Sequence, residues 1–427
     1  MNFMKMITEG KTNCKRLHLL TPIKLWILIL GILAFTPDAA GQNASIFSLP
    51  KGVKKLDISI ENHNNLIVVP VVINGLVEAK FILDSGASGN VILEKMIADI
   101  LDIHYKDTVT VAGAGNRGTL QAYRADSVHL SMRGMETDPT DVLVLEQDYL
   151  ALKEYLGLEV QGILGVSLFH DLVVEVNYDD YMLTLHDPAH FKPPQRYESI
   201  PVALKNQKPY ISGRLKQYTS NWKEAEFLVD LGASHAVLLE INDKNQFTIP
   251  EEHLKTSLGR GLSGDIEGYV GRLEKCSIGD FLLEDVITSF TPEYSKIQMH
   301  GRVGTIGGEF LSRLNPIFHF QEEKLYFKKS DNYDEPFEYN MSGMDIIAFG
   351  DNYNRILVVN VLPNSPAAKA GVKTGDEILK INWIPVRFYS LSHINAILRS
   401  REGKKIRLKI LRDDEKIKRK FRLERLI

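Results

Sequence analysis

Ala79-Lys80-Phe81-Ile82-Leu83-Asp84-Ser85-Gly86-Ala87-Ser88 returns later in the chain as Ala225-Glu226-Phe227-Leu228-Val229-Asp230-Leu231-Gly232-Ala233-Ser234. In both places an apolar strand runs into Asp-x-Gly-Ala-Ser. A repeat of this kind is weighed before any fold assignment, because it sets which parts of the chain are one structure written twice. A second shared element follows each copy: Gly162-Ile163-Leu164-Gly165-Val166-Ser167-Leu168-Phe169 and Gly304-Thr305-Ile306-Gly307-Gly308-Glu309-Phe310-Leu311. The separations from Asp84 to Gly165 and from Asp230 to Gly307 are 81 and 77 residues. Each element is followed by an apolar strand and a short hairpin, Val173 to Leu185 around Tyr178-Asp179-Asp180 and Pro316 to Phe327 around Gln321-Glu322-Glu323. Two related lobes, 54–190 and 197–330, are thus expected, joined by a stiff Lys192-Pro193-Pro194 connector.

Working outward, the runs between Leu56 and the C-terminus are rich in Val, Ile and Leu and are broken by Gly-containing turns. Leu66-Ile67-Val68-Val69-Pro70-Val71-Val72-Ile73 before Asn74-Gly75 is one such run, and Asn-Gly between apolar runs is a strong hairpin signal. The chain therefore reads as mainly β. From Gly343 onward the pattern changes, through Ile356-Leu357-Val358-Val359-Asn360-Val361, Ser365-Pro366-Ala367-Ala368-Lys369-Ala370-Gly371 and Lys373-Thr374-Gly375-Asp376-Glu377-Ile378, to that of a separate small α+β module, 335–427.

The 427 residues fit two to four domains at roughly 100–200 residues each. With 44% apolar and 25% charged residues the chain has the balance of a folded protein. A net charge of −3 gives no global attraction to polyanions, so no nucleic-acid partner is expected. Arg401 to Ile427 holds 12 basic against 5 acidic residues, but the alternation in Lys405-Ile406-Arg407-Leu408-Lys409-Ile410 reads as a strand with one wet face.

At the N-terminus, Lys11, Lys15, Arg16 and Lys24 precede an uncharged run from Leu25 to Phe35, then Thr36-Pro37-Asp38-Ala39-Ala40-Gly41. Basic, apolar, then small is the order of a secretory signal, here residues 1–41, and the run is shorter than the ~20 residues of a spanning helix. Export to a periplasmic or extracellular space is the expectation, with membrane attachment only if the signal stays uncleaved. Cys14 lies inside the signal and Cys276 would be alone after cleavage, so no internal disulfide is expected.

One Asp-x-Gly-Ala-Ser is weak, since Asp and Gly also populate ordinary turns. Two copies in two related lobes are not. A two-fold arrangement brings Asp84 and Asp230 face to face, and like charges a few ångströms apart share a proton. The ionised carboxylate then takes a proton from water while its protonated partner polarises a carbonyl. Gly86 and Gly232 let the chain turn sharply, and Ser88 and Ser234 can orient the carboxylates. No metal or nucleotide cofactor is called for: His-Glu-x-x-His, Gly-x-Ser-x-Gly and the phosphate-binding Gly-x-x-x-x-Gly-Lys do not occur.

Through Ile82-Leu83-Asp84-Ser85-Gly86-Ala87-Ser88, Val111-Ala112-Gly113-Ala114-Gly115 and Gly162-Ile163-Leu164-Gly165, lobe one resembles the retropepsin-like bacterial aspartyl proteases; lobe two is similar but looser. The resemblance implies two retropepsin/pepsin-like β-barrel lobes with a dyad cleft, one catalytic Asp in each, acting on peptides or unfolded proteins. It also implies that Gly113, Ala114 and Gly115 form the tip of a flap over substrate. Lobe two departs from the family at Leu231, where a Thr or Ser is usual, as at Ser85; that hydroxyl ties the two active loops together. The C-terminal module resembles a PDZ domain of bacterial exported proteases, with Gly343, Met344, Asp345 and Ile346 as the loop that takes a peptide's C-terminal carboxylate. Two alternatives stand beside the peptidase: a catalytically degenerate peptide-binding scaffold, for which Leu231 speaks, and a glycoside hydrolase, whose paired carboxylates sit ~5 to 9.5 Å apart.

Overall fold

In a computed structural model of the chain, residues 47–112, 119–241, 247–262, 264–292 and 303–427 are described. The expected signal, 1–41, lies outside them. The described residues divide into two compact units; one holds 47–150 and 160–337, the other 151–159 and 338–427.

Within the first unit the duplication is visible residue by residue. The strands Val77–Leu83 and Lys223–Val229 show the same burial order, with Ala79, Phe81, Ile82 and Leu83 inside in one copy and Ala225, Phe227, Leu228 and Val229 inside in the other. Period-2 alternation gives way to a continuous apolar run at each C-terminal end, as expected where a strand is covered on both faces. Burying Phe81 and Phe227, both 0% exposed, contributes about 1.5–3 kcal/mol each. Beside these strands lie Gly162–Leu164 and Gly304–Ile306, each parallel to its neighbour: Phe81, Ile82 and Leu83 pair with Gly162, Ile163 and Leu164, and Phe227, Leu228 and Val229 with Gly304, Thr305 and Ile306. On the far side each short strand runs antiparallel to a third, Val91–Ile92 or Val237–Ile241, which in turn pairs in parallel with Thr140–Leu145 or Phe281–Pro292. Both lobes therefore place an Asp at the end of the same interleaved strands.

The hairpins expected after the Gly elements join the lobes. Val173–Asn177 with Met182–His186, and Leu314–His319 with Lys324–Lys329, meet through Val174 opposite Phe318 and Glu175 opposite Ile317. Lys55–Ser59 and Glu198–Pro201 close the two edges, giving a six-stranded sheet whose order is symmetric about that central pairing. Phe169 packs edge-on to Phe318 at 5.0 Å and stacks on Phe320 at 5.6 Å, so aromatic contacts of lobe one continue into lobe two. Asn315 adds polar stitching, accepting from the Tyr178 N–H at 2.8 Å and donating to Asp179 at 2.7 Å. Cys276 is buried and free.

The second unit contains a sheet in the order Met344–Phe349, Arg355–Val361, Glu377–Ile381, Lys405–Arg412, Glu415–Arg422. The helix Leu391–Arg399 covers it, capped at its start by Ser390, whose hydroxyl accepts from the His393 N–H at 3.1 Å. Ala348, Ile356, Ile378, Leu391, Ile394, Leu398, Ile406 and Ile410 belong to its core. Asp376, 1% exposed, is held by Arg412 through two bonds of 2.6 and 2.8 Å, a bidentate arrangement that offsets the cost of burying a carboxylate.

Candidate active site

The N–H of Asp84 donates to the Leu164 carbonyl and the N–H of Asp230 to the Ile306 carbonyl, both at 2.9 Å, so each Asp leaves its strand from an equivalent anchor. The turn that follows folds back on the side chain. Asp84 Oδ1 accepts from the N–H groups of Gly86 at 2.7 Å and Ala87 at 2.9 Å, and Asp230 Oδ1 accepts from Gly232 at 2.9 Å. These bonds fix each carboxyl's plane relative to its own loop.

The two glycines explain the Asp-x-Gly spacing. A Cβ at Gly86 would stand 2.6 Å from Cγ of Asp230, and one at Gly232 would stand 2.2 Å from Cγ of Asp84. Each glycine lies against the opposite lobe's carboxyl, and no side chain fits between. Gly165 and Gly307 serve the layer beneath: a Cβ there would meet the Gly89 carbonyl at 2.4 Å or the His235 carbonyl at 2.3 Å. The repeated sequence elements thus let two chain segments cross under each aspartate loop.

Asp84 and Asp230 are both 0% exposed, and each carboxyl lies against the glycine of the other's loop, so the two acids are neighbours. Burial pushes Asp84 above the ordinary Asp range, against the bond from Gly86, the link to Asp230 and the field of Lys208. The raised value favours a shared proton, and such a pair titrates as one unit.

Ser85, 0% exposed, links the active loops across the lobes: its Oγ donates to the Val229 carbonyl at 2.8 Å and accepts from the Leu231 N–H at 3.0 Å. Leu231 is equally buried and has no hydroxyl with which to return the exchange. The lobes also meet where Asn65 Nδ2 donates to the Ser234 carbonyl at 3.1 Å. Ser88 and Ser234 sit half-buried on their loops, and the bonds described above onto the carboxyls come from backbone N–H groups.

Gly113, Ala114 and Gly115 lie outside the described residues; the strands leading to them, Tyr105–Ala112 and Thr119–Val128, form an antiparallel hairpin. Lobe two carries a counterpart at the same end of its sheet, His253–Gly261 with Gly264–Ile278, closed by Gly261 opposite Gly264. Sequence reading gave that hairpin no role at the site. It missed Lys208, which is 6% exposed and stands at the site equivalent to Leu66, since Tyr210 faces Leu228 as Val68 faces Ile82.

In the C-terminal module the expected carboxylate loop falls on a turn and the start of a strand. Gly343 makes the turn at φ +72°, but Met344, Asp345 and Ile346 already belong to the strand Met344–Phe349. The Met344 N–H donates to Ser342 Oγ at 3.2 Å, and Asp345 accepts from Asn360 at 2.8 Å. Met344-Asp345-Ile346-Ile347 pairs with Arg355–Val361, and that ladder starts directly after the Gly343 turn.

Residues 69–168 and 214–310 match the family model described as aspartyl protease, and residues 357–412 match a PDZ domain. Among curated proteins, the carboxy-terminal processing protease CtpB of Bacillus subtilis (strain 168) is 33% identical over 123 residues, 29% of this chain and 24% of that protein. The carboxy-terminal processing protease CtpA of the same organism is 27% identical over 109 residues, 26% of this chain and 22% of that protein. The aligned stretches thus cover 24% and 22% of the length of these relatives.

Proposed function

From a chain that carries two aspartyl protease segments and a PDZ domain, we infer an exported aspartic-type endopeptidase that hydrolyses peptide bonds through a water activated by Asp84 and Asp230. The observation that carries this reading is the reciprocal fit of the two loops, each glycine against the other lobe's carboxyl, with both carboxyls fully buried. In the reaction a water held by the pair gives one proton to the ionised carboxylate and its oxygen to the carbonyl carbon. The protonated partner gives its proton to the carbonyl oxygen. Collapse of the tetrahedral intermediate breaks the C–N bond as the amine takes a proton from the dyad. Gly86, Ala87 and Gly232 hold the carboxyl planes, Ser85 ties the loops, and Ser88 and Ser234 complete their surroundings.

In this reading, substrates are extended or unfolded chains, and the hairpin of Tyr105–Ala112 and Thr119–Val128 closes over them and excludes water. The PDZ domain recruits a peptide C-terminus. Export rests on the N-terminal order of basic, apolar and small residues, and no helix among the described residues is long and apolar enough to cross a membrane.

A second reading, a peptide-holding scaffold without turnover, is favoured by Leu231 in place of the usual hydroxyl. Cleavage of denatured casein at mildly acidic pH separates the two. The peptidase cuts it, and Asp84→Asn and Asp230→Asn each abolish cutting while leaving the circular dichroism unchanged. Undiminished turnover in either variant ends the assignment, and no turnover in the wild type at any acidic pH supports the scaffold.

A further inference from the structure

The compact unit built around 338–427 also contains Ala151–Glu159, a stretch that the sequence places between two strands of lobe one. The helix Leu152–Leu156 packs against the strand Met344–Phe349 and the helix Leu391–Arg399. Leu152 and Leu156 are 0% and 1% exposed. Gly157 ends the helix in the left-handed region at φ +70°, and its backbone comes so close that a Cβ would stand 2.9 Å from Leu391 Cβ and 3.2 Å from Ala348 Cβ. Glu159 accepts from the Tyr353 hydroxyl at 3.2 Å and pairs with Lys153 at 3.1 Å.

Ala348 lies on the strand Met344–Phe349 and Leu391 at the start of the helix Leu391–Arg399, and the peptide groove of a module of this kind runs between such a strand and helix. Met344–Phe349 is the edge strand of its sheet and pairs on one side, with Arg355–Val361, among the described residues. An edge strand beside a helix is where a module of this kind takes an extended peptide as an added strand, its side chains directed toward the helix. Gly157 closes the Leu391 end of that groove. The Gly343 turn lies toward the other end, where the Leu398 carbonyl accepts from the Met341 N–H at 3.1 Å.

We propose that Ala151–Glu159 is a built-in occupant of the peptide groove, and that a peptide with a free carboxylate and an apolar last residue binds there only by displacing it. Apparent affinity is then the intrinsic affinity multiplied by the fraction of molecules with the segment unseated. The segment is short of slack on its C-terminal side. Val160 alone separates it from Gln161, whose N–H donates to the Lys80 carbonyl and whose Oε1 accepts from the Lys80 N–H, both at 2.8 Å. Gly162–Leu164, the strand that anchors Asp84, follows at once. A ligand at the groove therefore acts on chain that leads directly to the strand beside the dyad.

The proposal rests on peptide recognition by the C-terminal module and not on hydrolysis by the dyad, so its test reads binding. The probe is a fluorescein-labelled hexapeptide ending in a free leucine, with the amidated peptide as control, titrated into the full chain by anisotropy. Gly157→Val drives a side chain into Leu391 and Ala348, and Leu156→Asp puts a charge at a buried position; either change unseats the segment. Both variants bind the free-carboxylate peptide at least about tenfold more tightly than the wild type. In the wild type, saturating peptide also raises hydrogen exchange at the amides of 152–157. Equal affinity in the wild type and both variants, exchange at 152–157 unmoved by bound peptide, or no binding by any of the three proteins would overturn the proposal.

Discussion

Ser85→Ala removes one oxygen and with it both hydrogen bonds that Ser85 makes between the active loops. The Leu231 N–H, in a residue 0% exposed, loses the acceptor at 3.0 Å, and the Val229 carbonyl loses the donor at 2.8 Å. A buried donor left without a partner costs about 1–3 kcal/mol, and a lost bond to a carbonyl about 0.5–1.5 kcal/mol, so the variant loses about 2–4 kcal/mol of stability. No compensating bond is available from Leu231, so the loss falls in full on the spacing between Asp84 and Asp230. Misplacement on the scale of 1 Å lowers turnover by about 100-fold. Urea denaturation and casein cleavage measured on the same preparation check both numbers. A variant within about 0.5 kcal/mol of wild type, cutting at the wild-type rate, would refute the view that Ser85 holds the dyad together.

Gly232→Ala places a Cβ where only 2.2 Å separates it from Asp84 Cγ, and the peptidase loses about 100-fold or more in kcat/KM while keeping its β-sheet circular dichroism. Lys208→Met removes a cation whose field lowers the Asp84 value, so the acid limb of the kcat/KM profile moves to higher pH; an unmoved limb would mean that Lys208 does not act on the pair. Asp84→Asn tests the same burial through stability. The Asp84 value is raised on folding, so its favourable contribution is complete below the unfolded value of 3.8 and is lost as pH rises through the folded one. Thermal unfolding of Asp84→Asn therefore shows the variant more stable than wild type near neutrality, with the difference shrinking toward acid pH.

The two-lobe architecture was legible because a repeat carries its own control: Asp84 and Asp230, Gly165 and Gly307, and the two following hairpins each occur in the same order. The central sheet follows from those hairpins, although the pairing of Val174 with Phe318 is not written in either segment alone. Lys208 was not legible, because Lys208-Pro209-Tyr210 looks like the polar start of a strand, and only the register shows it in the place of Leu66. The turn at Gly343 was legible from the glycine, while the edge strand that begins at Met344 follows from the pairing with Arg355–Val361. The 151–159 segment left no local signature. Leu152-Lys153-Glu154-Tyr155-Leu156 reads as a short amphipathic turn, and its packing partners lie about 190 and about 240 residues further along the chain.

The central claim is that two buried carboxyls, one from each lobe, share a proton and activate water. It is tested most directly by the pH dependence of kcat/KM for cleavage of a quenched fluorescent peptide. The account predicts a bell with one limb for ionisation of the pair's base and one for loss of its shared proton, and no measurable turnover at any pH in Asp230→Asn. A flat profile across the acidic and neutral range, or a bell that survives in Asp230→Asn, would contradict it.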